Sequence, residues 1–325
     1  MNRCISEISN IGILPSVHLD DAAHAVPLAQ ALHTSNIDAL LLTGENACAG
    51  IRAVRDAMDD ILIGAGNIVG LEQAQQAVQA GAQWIVTPGL QETVVRWCME
   101  QQIIVVPGVS SASEIEQAIA CGLDCVHLFP AQAAGGVQTL QAYAKTYPQM
   151  RFLVSDGMGL QDIHAYLSQP NVLAVIREDI LSADTLERAD WAQAEQEAER
   201  AVKQLLGFEL IHVGVNQESC EQALETAQTL CTLFHFTYYK KPKSHFAGRG
   251  FEILNTVGRG RNGHIGIYTP YPEKAMWYLG KKGVRFVEDS ITRNKKTKAI
   301  NFVYLDLEIA GFGVHLINPD VKMET

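Results

Sequence analysis

Lysine is almost absent from the first 205 of these 325 residues: the first is Lys145, the second Lys203, and the other ten lie at or beyond Lys240. Chemistry that needs a primary amine in that stretch has two side chains to draw on. No run of 18 or more apolar residues occurs, so no membrane span is expected. The opening residues lack a basic segment leading into an uninterrupted apolar one, and no signal peptide is read there. The cysteines (4, 48, 98, 121, 125, 220 and 231) are odd in number and scattered, and the Cys121/Cys125 spacing is not a CxxC. Reduced thiols in a cytoplasmic protein are the expectation. Positive charge is also short, with 25 Lys+Arg against 36 Asp+Glu and a net charge of -11. That balance argues against nucleic acid or an anionic membrane as partner.

What is present points to a folded, divided chain. Hydrophobic residues make up 47% and charged residues 19%, enough for an extensive core. The charge is uneven: residues 1–205 carry 24 acidic and 10 basic side chains, whereas 206–325 carry 12 and 15. This shift predicts two domains, 1–206 and 207–325.

Short apolar runs at 13–17, 39–42, 61–65, 84–87, 103–106, 126–129, 152–155 and 172–176 alternate with amphipathic stretches. Such continuous runs read as parallel strands buried on both faces. Eight of them in under 200 residues predict an α/β fold, a closed (β/α)8 barrel with its site at the C-terminal strand ends. A polar helix over 184–206 closes this domain, with Gly207 as its stop signal. From Leu210 the rhythm changes. Strands at 212–216, 233–239 and 251–254 surround a helix at 218–233. The order then recurs with a strand at 263–268, a helix at 272–280 and strands at 284–287, 301–307 and 313–317. This predicts a smaller α+β domain of two paired βαβββ repeats, since one copy alone cannot bury its sheet face.

The barrel strand ends carry GAGN at 64–67, TPGL at 87–90, PGVS at 107–110, HLFPA at 127–131 and GG at 135–136. In this order they resemble the 2-keto-3-deoxy-6-phosphogluconate / 4-hydroxy-2-oxoglutarate aldolase family, over roughly residues 10–180. The resemblance implies a trimeric barrel that cleaves small 2-oxo-4-hydroxy acids through a Schiff base. It also implies a substrate pocket formed by Asn67, Thr87, Pro88, Ser155 and Arg177. The match breaks at the reacting groups. The position of the family's Schiff-base lysine is His127, and imidazole cannot form an imine. The position of its acid/base glutamate is Leu41; Glu45, nearby in another register, and His127 are the remaining catalytic candidates. The phosphate turns are altered to Ser155-Asp156-Gly157 and Ile176-Arg177-Glu178, and Asp156 repels a dianion.

In the second domain, His212 (HVGVN) and His264 (HIGIY) open equivalent strands, while Glu252 (GFEIL) and His315 (GVHLI) sit in equivalent last strands. Four inward polar side chains between apolar neighbours need a partner, and a divalent metal (Zn, Ni, Fe, Mn or Co) satisfies them together. The pattern resembles the vicinal oxygen chelate superfamily over about 208–320, which implies a metal at the floor of a cup acting on a chelating substrate. His315 departs from the usual Glu while keeping ligand character. The Lys240–Lys243 and 295–298 charges are read as solvated turns, the Gly-rich 258–263 segment as a turn, and His235 and His245 are given no role. The expectation is an enzyme of a 2-oxo-acid lyase family whose surviving activity is metal-dependent. Its substrate is a small oxo or hydroxy acid, and no nucleic acid or membrane is engaged. The alternatives are a metabolite-binding or assembly protein, and an aldolase using other residues.

Overall fold

The computed structural model describes residues 3–155, 162–295 and 297–318. The chain divides into two compact units, Met1–Leu205 and Leu206–Thr325. The sequence pattern's fold class is found: a closed barrel of eight parallel strands, followed by a separate eight-stranded mixed sheet.

In the first unit, helix α1 (Arg3–Ile11), not anticipated from sequence, precedes the barrel strands. These are β1 (Ile13–His18), β2 (Ala39–Thr43), β3 (Leu62–Ala65), β4 (Trp84–Thr87), β5 (Ile104–Val109), β6 (Cys125–Leu128), β7 (Arg151–Val154) and β8 (Val172–Arg177). Between and after them run α2 (Ala25–Thr34), α3 (Ala47–Ala57), α4 (Leu71–Gln79), α5 (Glu92–Glu100), α6 (Ala112–Ala120), α7 (Gly136–Thr146), α8 (Ile163–Leu167), α9 (Ala183–Glu187) and α10 (Trp191–Leu206). Strands β2, β4, β6 and β8 are buried at every residue, as strands covered by helices outside and side chains inside must be. The motif glycines serve this packing. A Cβ on Gly64 would meet the Trp84 ring at 2.4 Å, and one on Gly108 would meet the Pro88 carbonyl oxygen at 2.1 Å. The closing helix read over 184–206 is two helices, because Ala189 adopts a left-handed φ of 51° between α9 and α10. Gly207, at φ 50°, follows the end of α10 as its stop signal predicts.

The second unit runs β9 (Glu209–Val215), α11 (Cys220–Phe234), β10 (Tyr238–Lys241), β11 (Ser244–Ala247), β12 (Phe251–Leu254), β13 (Gly263–Tyr268), α12 (Pro272–Lys281), β14 (Thr292–Arg293), β15 (Ile300–Ile309) and β16 (Phe312–Ile317). The sheet order is β10-β11-β12-β9-β13-β16-β15-β14, two βαβββ copies meeting at the antiparallel β9/β13 pair. Sequence placed a strand at 233–239, but helix α11 continues to Phe234 and His235 caps it in the left-handed region. Strand β11 was missed, hidden behind the lysine-rich hairpin. The strand read at 284–287 reduces to one bridge, Phe286 with Leu305. One sheet face packs on α11 through Ile253, Ala223 and Ala227, with Val215, Leu230 and Phe251 against them. Among the described residues, no helix is long and apolar enough to cross a membrane.

Candidate functional site

The register of the second sheet decides what its histidines can do. His264 pairs with Gly214 and Gly266 with His212 across β9/β13. Gly266 also pairs with His315, and Glu252 with Gly214. Directly opposed residues share a face, so His212, Glu252, His264 and His315 all project from one side, away from α11. The two glycines make room for them. A Cβ on Gly214 would stand 2.0 Å from the His264 ring, and one on Gly266 would stand 2.5 Å from the His212 ring. Each imidazole thus lies over the glycine of the neighbouring strand. The HVGV and HIGI letters were visible in the sequence, but this function depends on cross-strand register and was not anticipated.

The three rings converge through their Nε2 atoms. His212 Nε2 is 3.0 Å from His264 Nε2 and 3.1 Å from His315 Nε2. Glu252 Oε2 lies 3.5 Å from His212 Nε2 and 3.4 Å from His264 Nε2. The three histidines form the group whose ligand atoms all lie within 4.8 Å of one another, and Glu252 approaches two of them from the side. With metal–nitrogen bonds of about 2.0–2.1 Å, neighbouring ligands stand about 3.3 Å apart in a tetrahedron and about 2.9 Å apart in an octahedron. The observed separations of 3.0–3.5 Å lie close to these values, so the residues fit a first-row divalent ion.

Electrostatics favour the same donor set. Burial pushes His212 down to about 4, aided by His264 and Lys241 and opposed by Glu252. Burial, together with the other two imidazoles, pushes His315 down to about 3. For Glu252, burial acts upward but is outweighed by hydrogen bonds from His264 and Ser244 and by His212, which hold it at about 2. The Ser244 hydroxyl donates to Glu252 Oε1 at 2.7 Å, a contact that sequence reasoning missed. Near pH 7 the site therefore offers neutral His212 and His315 imidazoles and a carboxylate, the forms that bind metal. The Nδ1 atoms of His264 and His315 are buried without a hydrogen-bond partner among the described residues. Packing therefore orients these rings: Phe302 lies tilted against His315 at 4.5 Å, and Tyr304 meets both rings edge-on.

At the barrel mouth a cavity of about 340 Å³ is lined by His127, Asn67, Ser155, Arg177, Glu178 and Asp179, with Leu41 among its apolar walls. His127 Nε2 lies 2.7 Å from Ser155 Oγ, and its ring packs 5.4 Å from Phe129. Arg177 is 3% exposed. Its Nε donates to Asp179 Oδ1 at 2.7 Å and its Nη2 to Asp179 Oδ2, while Nη1 is buried with no partner among the described residues. Two of the residues read as substrate-binding, and Glu45 read as a catalytic candidate, stand apart. Thr87 turns its hydroxyl onto the Gly89 carbonyl at 2.7 Å, Pro88 packs its carbonyl against Gly108, and Glu45 is exposed after β2. None of the three is among the cavity walls. Asp156 lies outside the described residues. No lysine lines the cavity among the described residues, and none occurs at 156–161.

Residues 4–197 match the family described as KDPG and KHG aldolase. The chain belongs to that family. Among its relatives is a 2-dehydro-3-deoxy-phosphogluconate aldolase of Treponema pallidum (strain Nichols), 36% identical over 57% of this chain and 90% of that protein. The KHG/KDPG aldolase of Escherichia coli (strain K12) is 33% identical over 59% of this chain and 91% of its own. The solved KDPG aldolase of Legionella pneumophila, with pyruvate captured as a covalent carbinolamine, matches with a TM-score of 0.59 and 26% identity. That match covers 62% of this chain and 98% of the other. All of these matches concern the aldolase-family barrel.

Within it, burial pushes His127 down to about 4, and the nearby Thr87 carbonyl offsets only part of this. A histidine depressed on folding stays neutral while the unfolded chain takes up a proton below about 6.5. Its stabilising contribution is whole above that pH and is lost as the pH falls towards 4. Between pH 7 and pH 5 this group should cost the barrel about 2 kcal/mol. Urea unfolding of wild type and His127→Gln, followed by tryptophan fluorescence, should show the difference between them shrinking by that amount. A pH-independent difference would contradict the assignment.

Proposed function

We propose that this aldolase-family chain no longer performs Schiff-base chemistry in its barrel and works instead through a divalent metal held by the second unit. His212, His264, His315 and Glu252 would hold the ion, and the substrate is a small oxo or hydroxy acid. The observation that carries this reading is the convergence of three Nε2 atoms on one face beside a carboxylate. The paired βαβββ copies support it, since they are the arrangement expected of a vicinal-oxygen-chelate cup. When bound, such an ion polarises adjacent substrate oxygens. The chain's own residues keep His212 and His315 neutral and Glu252 ionised, Ser244 fixes Glu252, and Gly214 and Gly266 keep the ring positions open. In the barrel the site of imine formation is taken by His127, which has no amine to offer. We further propose that the barrel assembles the protein as a trimer, which sedimentation at about three chain masses would support.

The test is a small change away from the ligands. Gly214→Ala places a methyl where the His264 ring lies, without any backbone penalty in a β-strand. Metal affinity should fall by about ten- to a hundredfold, the scale of a disturbed supporting shell, while circular dichroism stays unchanged. Unaltered affinity would sink the assignment of His264 as a ligand.

A second reading applies to the barrel cavity and rests on Arg177. A buried guanidinium among the walls of a cavity, with one nitrogen lacking a partner among the described residues, is suited to binding a carboxylate. The barrel is then a non-catalytic site for a small 2-oxo or hydroxy acid. Asp179 and Glu178 beside it disfavour a phosphate dianion. Calorimetric titration with pyruvate or 2-oxoglutarate should give binding that weakens at least about tenfold in Arg177→Gln. No binding by wild type at millimolar ligand would remove this reading.

A further inference from the structure

The opposite face of the second sheet carries a different constellation. In β11, Ser244 and Phe246 project towards the histidine cluster, so His245 between them points to the α11 side, where its cross-strand neighbour Ile253 joins the core. His245 is 1% exposed. Its Nε2 lies 3.5 Å from the Sγ of Cys220, the first residue of α11, and its Nδ1 lies 2.6 Å from the Tyr238 hydroxyl. Cys220 is the only exposed one of the seven cysteines; three are buried and three intermediate. The chain thus places an accessible thiol, an imidazole and an orienting phenol in a line, assembled from α11, β11 and β10.

We propose that Cys220 is a nucleophilic thiol activated by His245 and oriented through Tyr238, forming a site for covalent reaction with soft carbon electrophiles, separate from the histidine cluster. The tautomer follows from the contacts. For Nε2 to accept the thiol proton it must carry the lone pair, so Nδ1–H donates to the Tyr238 oxygen, as the third member of a nucleophile–base pair does. Burial, then Lys240, keeps His245 below its usual range, so the imidazole is neutral and able to accept a proton near pH 7. Lys240 is the cross-strand partner of His245 and its charge acts on that ring. The first-turn N–H groups of α11 favour negative charge developing on sulfur. In the reaction with an α-halocarbonyl compound, the S–H proton passes to His245 Nε2 and sulfur forms a bond to the electrophilic carbon. The carbon–halogen bond breaks, and the halide leaves with its electron pair.

The experiment uses the full-length protein and iodoacetamide at pH 7, with alkylation rates resolved for each cysteine by peptide mass spectrometry. Cys121 and Cys231, both partly exposed, are internal references. Cys220 should react about tenfold or more faster than either, within the range of general-base assistance. His245→Gln should bring it to within about threefold of Cys231, and Tyr238→Phe, which removes one oxygen from a partly exposed ring, should slow it by about threefold or more. Tyr238→Phe keeps the test decisive if the buried His245 variant fails to fold. A Cys220 rate no greater than that of Cys231 in wild type, or a rate unchanged in Tyr238→Phe, would overturn the proposal. Metal affinity should be unaffected by Tyr238→Phe, which keeps this test apart from that of the histidine cluster.

Discussion

Incubated with pyruvate and then borohydride, the protein should gain no covalent adduct anywhere in residues 1–205. An imine needs an uncharged primary amine within reach of the bound carbonyl, and the first unit contains only Lys145, in the last turn of α7, and Lys203, in α10. Neither is a wall of the barrel-mouth cavity, where β6 presents His127 instead. Leu41, the position that the family resemblance gives to a proton-transfer glutamate, is an apolar wall of the same cavity. Loss of the nucleophile alone typically removes about six orders of magnitude in kcat. Cleavage of 2-keto-3-deoxy-6-phosphogluconate should therefore fall at least about 10⁴-fold below that of a lysine-bearing relative assayed alongside. A mass increase of one reduced pyruvyl group on a barrel peptide would defeat this part of the account.

Removing metal with a chelator should lower the unfolding temperature of the second unit and leave the first unchanged. A ligand present at a hundred times its dissociation constant stabilises the folded state by about 2.7 kcal/mol. For a unit of this size, that corresponds to a shift of roughly 10 °C or more. His264→Ala should abolish the shift, and its unfolding temperature without metal should stay near that of wild type without metal. The comparison matters because a buried cluster of imidazoles can also serve purely as hydrogen-bonded core. In that case His264→Ala would destabilise the protein equally with and without metal, by leaving His212 and Glu252 with fewer partners. Calorimetry on the four samples separates the two cases.

The barrel was legible because parallel strands buried on both faces leave continuous apolar runs, and β2, β4 and β8 fall within about two residues of their predicted places. The repeat in the second unit was legible through the HVGV/HIGI and FEIL/VHLI pairs. Local signals failed where context overruled them. The aromatic and β-branched stretch at 233–239 looks like a strand, yet the helix runs to Phe234 with a left-handed cap at His235, and the strand starts only at Tyr238. Thr87 has the right residue type for a substrate contact, but a two-residue turn brings its hydroxyl to Gly89. Register was the other hidden quantity. Repeat-equivalent positions suggest that the histidines cluster, whereas the glycines that make room for them are found only when the strands are paired. Cys220 and His245, 25 residues apart, belong together for the same reason. The sequence pattern left His245 without a role.

Metal occupancy decides whether the capacity for chemistry lies in the histidine cluster of the second unit. Elemental analysis of the purified protein after supplementation with divalent metals tests it most directly. The account predicts about one equivalent of a first-row metal per chain in wild type and His127→Gln, and less than about a tenth of an equivalent in His212→Ala and His264→Ala. Wild-type protein holding under a tenth of an equivalent, or histidine variants retaining a full one, would contradict it.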